Sequence, residues 1–243
     1  MSKKQKVEVI SVSPEQLQEF KAPEATQSHN PIPYGVFREN VIDVTNKLIT
    51  PAGYTLHSED YKAREDGSQM FGTLTWSNGL ETDMGFAIGI RSSYDKTIAA
   101  GLVMGAKVFV CSNMMFNGDI TIMRKNTTNC IQDMKTSIVT ALFGCVDHYT
   151  RFKEIVAGWK DKGISDRNVE EMFGHAFCNG VLKPQQLTEA WRQWTQPYYD
   201  EFKPRTVYSL YQAMNVPLKT MPPISIIDAH TNLNKMFEER YAI

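Results

Sequence analysis

One apolar stripe constrains this chain more than any other feature. Between 131 and 159 the residues Ile131, Met134, Ile138, Leu142, Cys145, Tyr149, Phe152, Val156 and Trp159 recur at steps of three or four. That is the period of a single α-helix face. A stripe this long needs a complementary surface, and the preceding region predicts one. From 54 to 124 the sequence alternates and is punctuated by glycine, the pattern of an antiparallel β-meander of roughly four to six strands. Met70, Leu74 and Trp76 share one side, with Gly72 between them, and Asn78-Gly79 reads as a hairpin turn because both residues tolerate φ > 0. The next strand puts Met84, Phe86, Ile88 and Ile90 on one face and only Gly85, Ala87 and Gly89 on the other. So bare a face predicts close approach by another group, with packing inside the fold the favoured cause. Further strands are expected over 98–104 and 107–112, and Asn117-Gly118 predicts a second hairpin into 120–123.

The flanks read as helix and arm. Val41, Val44 and Leu48 predict a helix over 37–49, ended by Pro51. Residues 1–35 hold Pro14, Pro23, Pro31 and Pro33 without sustained periodicity. They read as an extended arm with a short strand at 7–12 and a brief helix at 14–20, capped by Ser13. After the stripe, helices are expected over 166–178 (Ser165 as N-cap, Gly180 beyond the end) and from Pro184. Two more follow, from near Pro204 and up to the C-terminus. The expected fold class is α+β: an antiparallel β-meander packed on a long helix, followed by a helical C-terminal half. Three regions result: an arm at 1–35, an α+β core at 36–162 and a helical part at 163–243.

Charge narrows the function classes. The net charge of −1 argues against a strongly basic nucleic-acid-binding surface. Its distribution is uneven: residues 1–90 carry a net −4, residues 91–162 a net +4 and residues 163–243 a net −1. The basic excess makes Arg91, Lys96, Lys107, Arg124 and Lys125 the candidate phosphate contacts, on or beside the strands. No apolar run approaches the roughly 18 residues of a membrane span. No apolar h-region follows the charged N-terminus, so a cytoplasmic location and no membrane partner are expected. Cys111, Cys130, Cys145 and Cys178 form no Cys-x-x-Cys pair, and no disulfide framework is expected.

Motifs that carry chemistry are sparse. Cys145-x-x-His148 and His175-x-x-Cys178 are each spaced i, i+3, so two helices could in principle offer Zn²⁺ two thiolates and two imidazoles. Buried cysteines and ordinary histidines explain the same pattern and are favoured; no metal or cofactor is expected. Glu81, Asp83 and Asp95 could supply carboxylates for a Mg²⁺-dependent nuclease, but acidic residues at strand ends are ordinarily solvated. Asp228 before His230 reads as a helix cap rather than half of a catalytic pair. Trp191, Trp194, Tyr198, Tyr199 and Phe202, with Arg192, Lys203 and Arg205, could stack bases, though tryptophan at helical spacing is more often core. No nucleophile elbow or glycine-rich phosphate loop is present.

Three segments carry a family resemblance. They are 66–71 (Asp-Gly-Ser-Gln-Met-Phe), 89–96 (Gly-Ile-Arg-Ser-Ser-Tyr-Asp-Lys) and 108–113 (Val-Phe-Val-Cys-Ser-Asn), followed later by Tyr208-Ser-Leu-Tyr211-Gln-Ala213. Together they resemble the phage- and plasmid-borne "domain of unknown function" family numbered nine hundred and thirty-two, over about residues 50–240. Val110-Cys111-Ser112-Asn113 is the most specific piece. Ser92, Tyr94 and Lys96 stand where that family's turn has Asn, His and Gly. The resemblance implies a mobile-element setting among DNA-metabolism and anti-defence genes, and no reaction. Two classes are therefore expected: a non-enzymatic accessory protein binding single-stranded DNA, or a protein-binding inhibitor of a host defence system or enzyme. Self-association is open in both.

Overall fold

The computed structural model describes residues 8–26, 30–116, 135–222 apart from 137 and 141, and 225–241. Six strands form one sheet in chain order: β1 (Val9–Val12), β2 (Thr55–Arg64), β3 (Gln69–Ser77), β4 (Met84–Ser93), β5 (Gly101–Val108) and β6 (Met114–Phe116). Every neighbouring pair is antiparallel, so the expected meander is present. The register places Tyr61, Leu74, Trp76, Phe86, Ile88, Ile90, Leu102, Ala106 and Met115 on a first face. Phe71, Thr73, Gly85, Ala87, Gly89, Val103, Gly105, Lys107 and Phe116 fall on the second.

The first face buries the helices α2 (Tyr34–Ile49) and α3 (Cys145–Asp161). Asn46 on α2 accepts a hydrogen bond from the Trp76 indole at 2.8 Å. Tyr149 on α3 sets its ring edge-to-face against Phe86, centroids 5.6 Å apart. The expected helix over 131–159 is interrupted. Residues 131–134 lie outside the described residues, helical turns occur between 135 and 142, and a turn at Phe143 and Gly144 precedes α3. Gly144 sits at φ +77°, a conformation that glycine adopts without a Cβ penalty. The apolar spacing continues through the turn, so Ile138, Leu142, Cys145, Tyr149, Phe152, Val156 and Trp159 are all buried although the helix axis breaks.

The second face is concave. Thr73 on β3 donates its hydroxyl to the Met114 sulfur on β6 at 2.9 Å, and the rings of Phe71 and Phe116 lie 6.4 Å apart. Those strands are three places apart, about 14 Å in a flat sheet at ~4.8 Å per strand. The sheet therefore curls until β6 faces β3. The bare positions permit this: a Cβ on Gly89 would lie 2.6 Å from the Phe116 ring, and one on Gly105 would lie 2.1 Å from the Met115 carbonyl oxygen. The predicted close approach thus comes from within the fold. Ile226 and Ile227, opening α7 (Ile226–Tyr241), close the rest of this face with Phe71, Val103 and Phe116.

In the described part of 1–35 the expected short strand and Ser13-capped helix are both present, and they pack on the rest of the fold. β1 pairs with β2 along its length, and α1 (Pro14–Glu19) is held by a Ser13–Gln16 capping box. Leu17, Ile32 and Tyr34 are buried, and Tyr34 stacks on Tyr94 with centroids 3.9 Å apart. The prolines set chain direction while the few apolar residues between them anchor the segment. The C-terminal half comprises α4 (Asp166–Cys178), α5 (Pro184–Thr195), α6 (Val207–Asn215) and α7. Every residue of α6 is buried, which makes it the central helix of that half. Trp159, Tyr211 and Phe237 form an aromatic triangle joining α3, α6 and α7, with centroids 5.0–5.8 Å apart. The hairpin expected at 117–123 lies outside the described residues.

Candidate functional site

Curling the sheet gathers charge at one mouth of its concave face. On β2, alternation puts Asp60 and Lys62 on the second face, opposite Thr73 and Phe71. From β5 Lys107 reaches back across the concavity to form an ion pair with Asp60. Lys219, in the short 3-10 helix Val216–Thr220, enters from the far end of the chain and donates to the Cys111 carbonyl. The Lys62 ammonium donates to the Lys219 carbonyl oxygen at 2.6 Å. These three lysines line a pocket of about 460 Å³ together with Asp60 and the hydroxyl-bearing Ser11, Ser13, Thr73 and Ser112. Glu59 also borders it, but its carboxylate is taken by Arg38 at 2.6 and 2.7 Å and by the Tyr61 hydroxyl. Asp60 thus stands as the available counter-charge to three ammonium groups.

That imbalance acts on the lysines themselves. Burial pushes the Lys62 ammonium below its ordinary pKa, with Asp60 opposing. Burial does the same to Lys219; Cys111 opposes, and the charges of Lys62 and Lys107 push further down. A desolvated cation crowded by like charges is stabilised by an incoming anion, and N⁺–H···O⁻ bonds are the stronger kind of hydrogen bond. The turn at 109–113 completes the site. Ser112 adopts φ +55°, uncommon for a residue with a side chain and often a mark of a functional segment. Asn113 beside it is fully buried and donates to the Gln212 side chain at 2.6 Å. Segments 110–113 and 208–213 therefore meet beside this pocket, through Asn113 and Gln212.

The other candidates are dispersed. Arg91 is 4 % exposed and its guanidinium meets Asp228 at 3.2 Å, so it is not a surface phosphate contact in this structure. Lys96 is exposed in the turn beyond β4 at φ +64°. Lys107 pairs with Gly85 near the opposite end of that strand, about 27 Å away along the chain direction. Arg124 and Lys125 lie outside the described residues. Of the expected cationic set, Lys107 belongs to the pocket, and Lys62 and Lys219 are additions. The alternation of Asp60 and Lys62 was a local clue, whereas Lys219 arrives across 157 positions of sequence and leaves none.

Among the described residues no cluster of three or more His, Cys, Asp or Glu is placed to hold a metal ion, so the disfavoured Cys145, His148, His175 and Cys178 set is not brought together. Cys145 is buried, with its thiol pushed up by burial, while His148, His175 and Cys178 are exposed. The carboxylates are engaged separately: Glu81 by Tyr54, Tyr149 and Lys153, Asp83 by Lys160, and Asp95 by Gln69 and Thr97. Asp228 faces Arg91 while His230 is buried, so the two form no dyad. In the aromatic group, Arg205 covers Trp194 at 4.1 Å and Arg192 covers Tyr198 at 4.7 Å. Arg192, Lys203 and Arg205 are themselves paired with Glu189, Asp200 and Asp166. Those ring faces and charges are already used.

No protein-family model matches the chain, and neither a curated protein nor a solved structure matches it. Among the described residues no helix is long and apolar enough to cross a membrane.

Proposed function

We propose that this protein is a non-enzymatic accessory protein of a phage or other mobile element that binds single-stranded DNA. Its phosphate contacts are Lys62, Lys107 and Lys219. The observation that carries this reading is the convergence of three ammonium groups on one concave pocket where Asp60 is the available counter-charge. Ammonium and hydroxyl groups hold an anionic oxygen from several sides, the task that phosphate recognition sets. The mobile-element setting is supported by the sequence resemblance, whose most specific segment contributes Ser112 to the pocket lining.

The test is fluorescence anisotropy of a labelled single-stranded oligonucleotide at about 50 and 200 mM salt. Binding should weaken severalfold at the higher salt. Lys107→Gln should reduce affinity, and Asp60→Asn should increase it by removing the competing carboxylate. Absence of binding at either salt, or Asp60→Asn leaving affinity unchanged, refutes the assignment. A second reading, a protein-binding inhibitor of a host defence system or enzyme, draws support from the exposed Phe177 and Trp191. Trp191 packs on Phe173, one helical turn from Phe177. The described part of the N-terminal segment packs on the sheet and so does not serve that reading as an extended arm.

A further inference from the structure

A second cavity of about 530 Å³ adjoins the lysine pocket. It is bordered by His57, Ser58, Ser77, Phe109 and the Glu81 carboxylate, whose charge is met by Lys153, and Lys107 and Ser112 line both cavities. One wall is aromatic. The rings of His57 and Phe109 lie 5.2 Å apart at 56°. Phe109 is held from behind by the sheet: a Cβ on Gly85 would lie 2.9 Å from the tip of its ring. His57 is exposed and leaves the rim of the cavity open. A cationic pocket thus shares two residues with an adjacent, rigidly backed aromatic wall.

We propose that the two cavities form a one-nucleotide site. The phosphate lies among Lys62, Lys107 and Lys219, and the attached base lies against Phe109 and His57. This rests on the phosphate-binding reading above and specifies its unit. Each cavity falls within the size range of small-ligand sites, together enough for a phosphate and a base. Among the described residues the basic side chains facing this groove are those three. Lys96 stands at the far end of β4, and Arg91 is turned to Asp228. A site of this shape gains from one phosphate and one stacked base, and adding nucleotides to the ligand adds little. Ser112 lies between the two cavities, where its hydroxyl can bond the sugar-phosphate link.

The experiment is competition against the labelled oligonucleotide with inorganic phosphate, deoxyadenosine monophosphate, a dinucleotide and single strands of about 5 and 20 nucleotides. Per-molecule affinity should rise from phosphate to the mononucleotide and then level off. Phe109→Ala should weaken the mononucleotide about tenfold, within the range for loss of one stacked base, and leave inorganic phosphate unchanged. His57→Ala, at an exposed position, should show the same split more weakly and covers the case in which Phe109→Ala fails to fold. Affinity that climbs steadily to the longest strand overturns the one-nucleotide site and leaves the DNA-binding reading standing. Equal weakening of phosphate and mononucleotide in both variants overturns the base platform. No competition by any of these ligands, with the labelled strand itself unbound, overturns both proposals.

Discussion

His230 sits on α7 with no exposed surface, and no side chain hydrogen-bonds either ring nitrogen. The edge of the Phe116 ring system faces it at 5.7 Å. Burial holds its pKa down to about 3 from an ordinary 6.5; Lys219 and Lys62 add to the depression and the Met114 backbone opposes it. The folded protein therefore favours neutral imidazole, and the unfolded chain binds the proton first. The stability this residue supplies is complete above pH 6.5 and is lost as the pH falls from 6.5 towards 3. Each pH unit in that window costs about 1.4 kcal/mol, or about 3 kcal/mol by pH 4.5. The assay is urea unfolding at several pH values between 7 and 4.5, for the natural protein and for His230→Leu. Carboxylates titrate alike in both proteins, so the difference between them isolates the imidazole. The natural protein should lose ground against the variant by about that amount as the pH drops. A difference that stays constant across the range refutes the buried, neutral histidine.

Four further outcomes follow from the same geometry. Gly105→Ala forces a Cβ against the Met115 carbonyl and should destabilise by about 3 kcal/mol or more. Gly174→Ala, inside α4 with open space around it, should stabilise by about 0.5–1 kcal/mol; both are read from thermal or urea midpoints. Lys96→Gly relieves a left-handed residue and should stabilise by up to about 1 kcal/mol, less glycine's added chain entropy, without moving nucleotide affinity. Anion binding should raise the depressed pKa values of Lys62 and Lys219, so it takes up protons between those values and 10.5 and weakens as the pH rises through that window. Calorimetry in two buffers of different ionisation enthalpy measures that uptake, and equal apparent enthalpies would contradict it.

Much of the fold was legible because it is written in periodicity. The alternation through 69–93 gave β3 and β4 their faces, and the bare side at Gly85, Ala87 and Gly89 announced the close approach made by Phe109 and Phe116. Breaks and anchors were harder to read. Gly144 redirects the helix axis without disturbing the apolar spacing, and proline-rich composition around Leu17 and Ile32 concealed their burial. The site was least legible. Charge counting located a basic middle segment, yet it could not separate Lys107, which faces the pocket, from Arg91, whose charge is spent on Asp228. Lys62 stands in an acidic stretch, and Lys219 in a short helix with no charge pattern of its own. Only curling of the sheet and packing of the C-terminal half bring them to one place.

The most direct test of the phosphate-binding groove is amide chemical-shift mapping by NMR during titration with deoxyadenosine monophosphate. Shifts should concentrate at Asp60, Lys62, Lys107, Phe109, Ser112 and Lys219, on segments far apart in sequence and joined at one mouth of the sheet. Shifts confined to the helices around Trp191 and Tyr198, or none at millimolar ligand, would contradict the groove as the binding site.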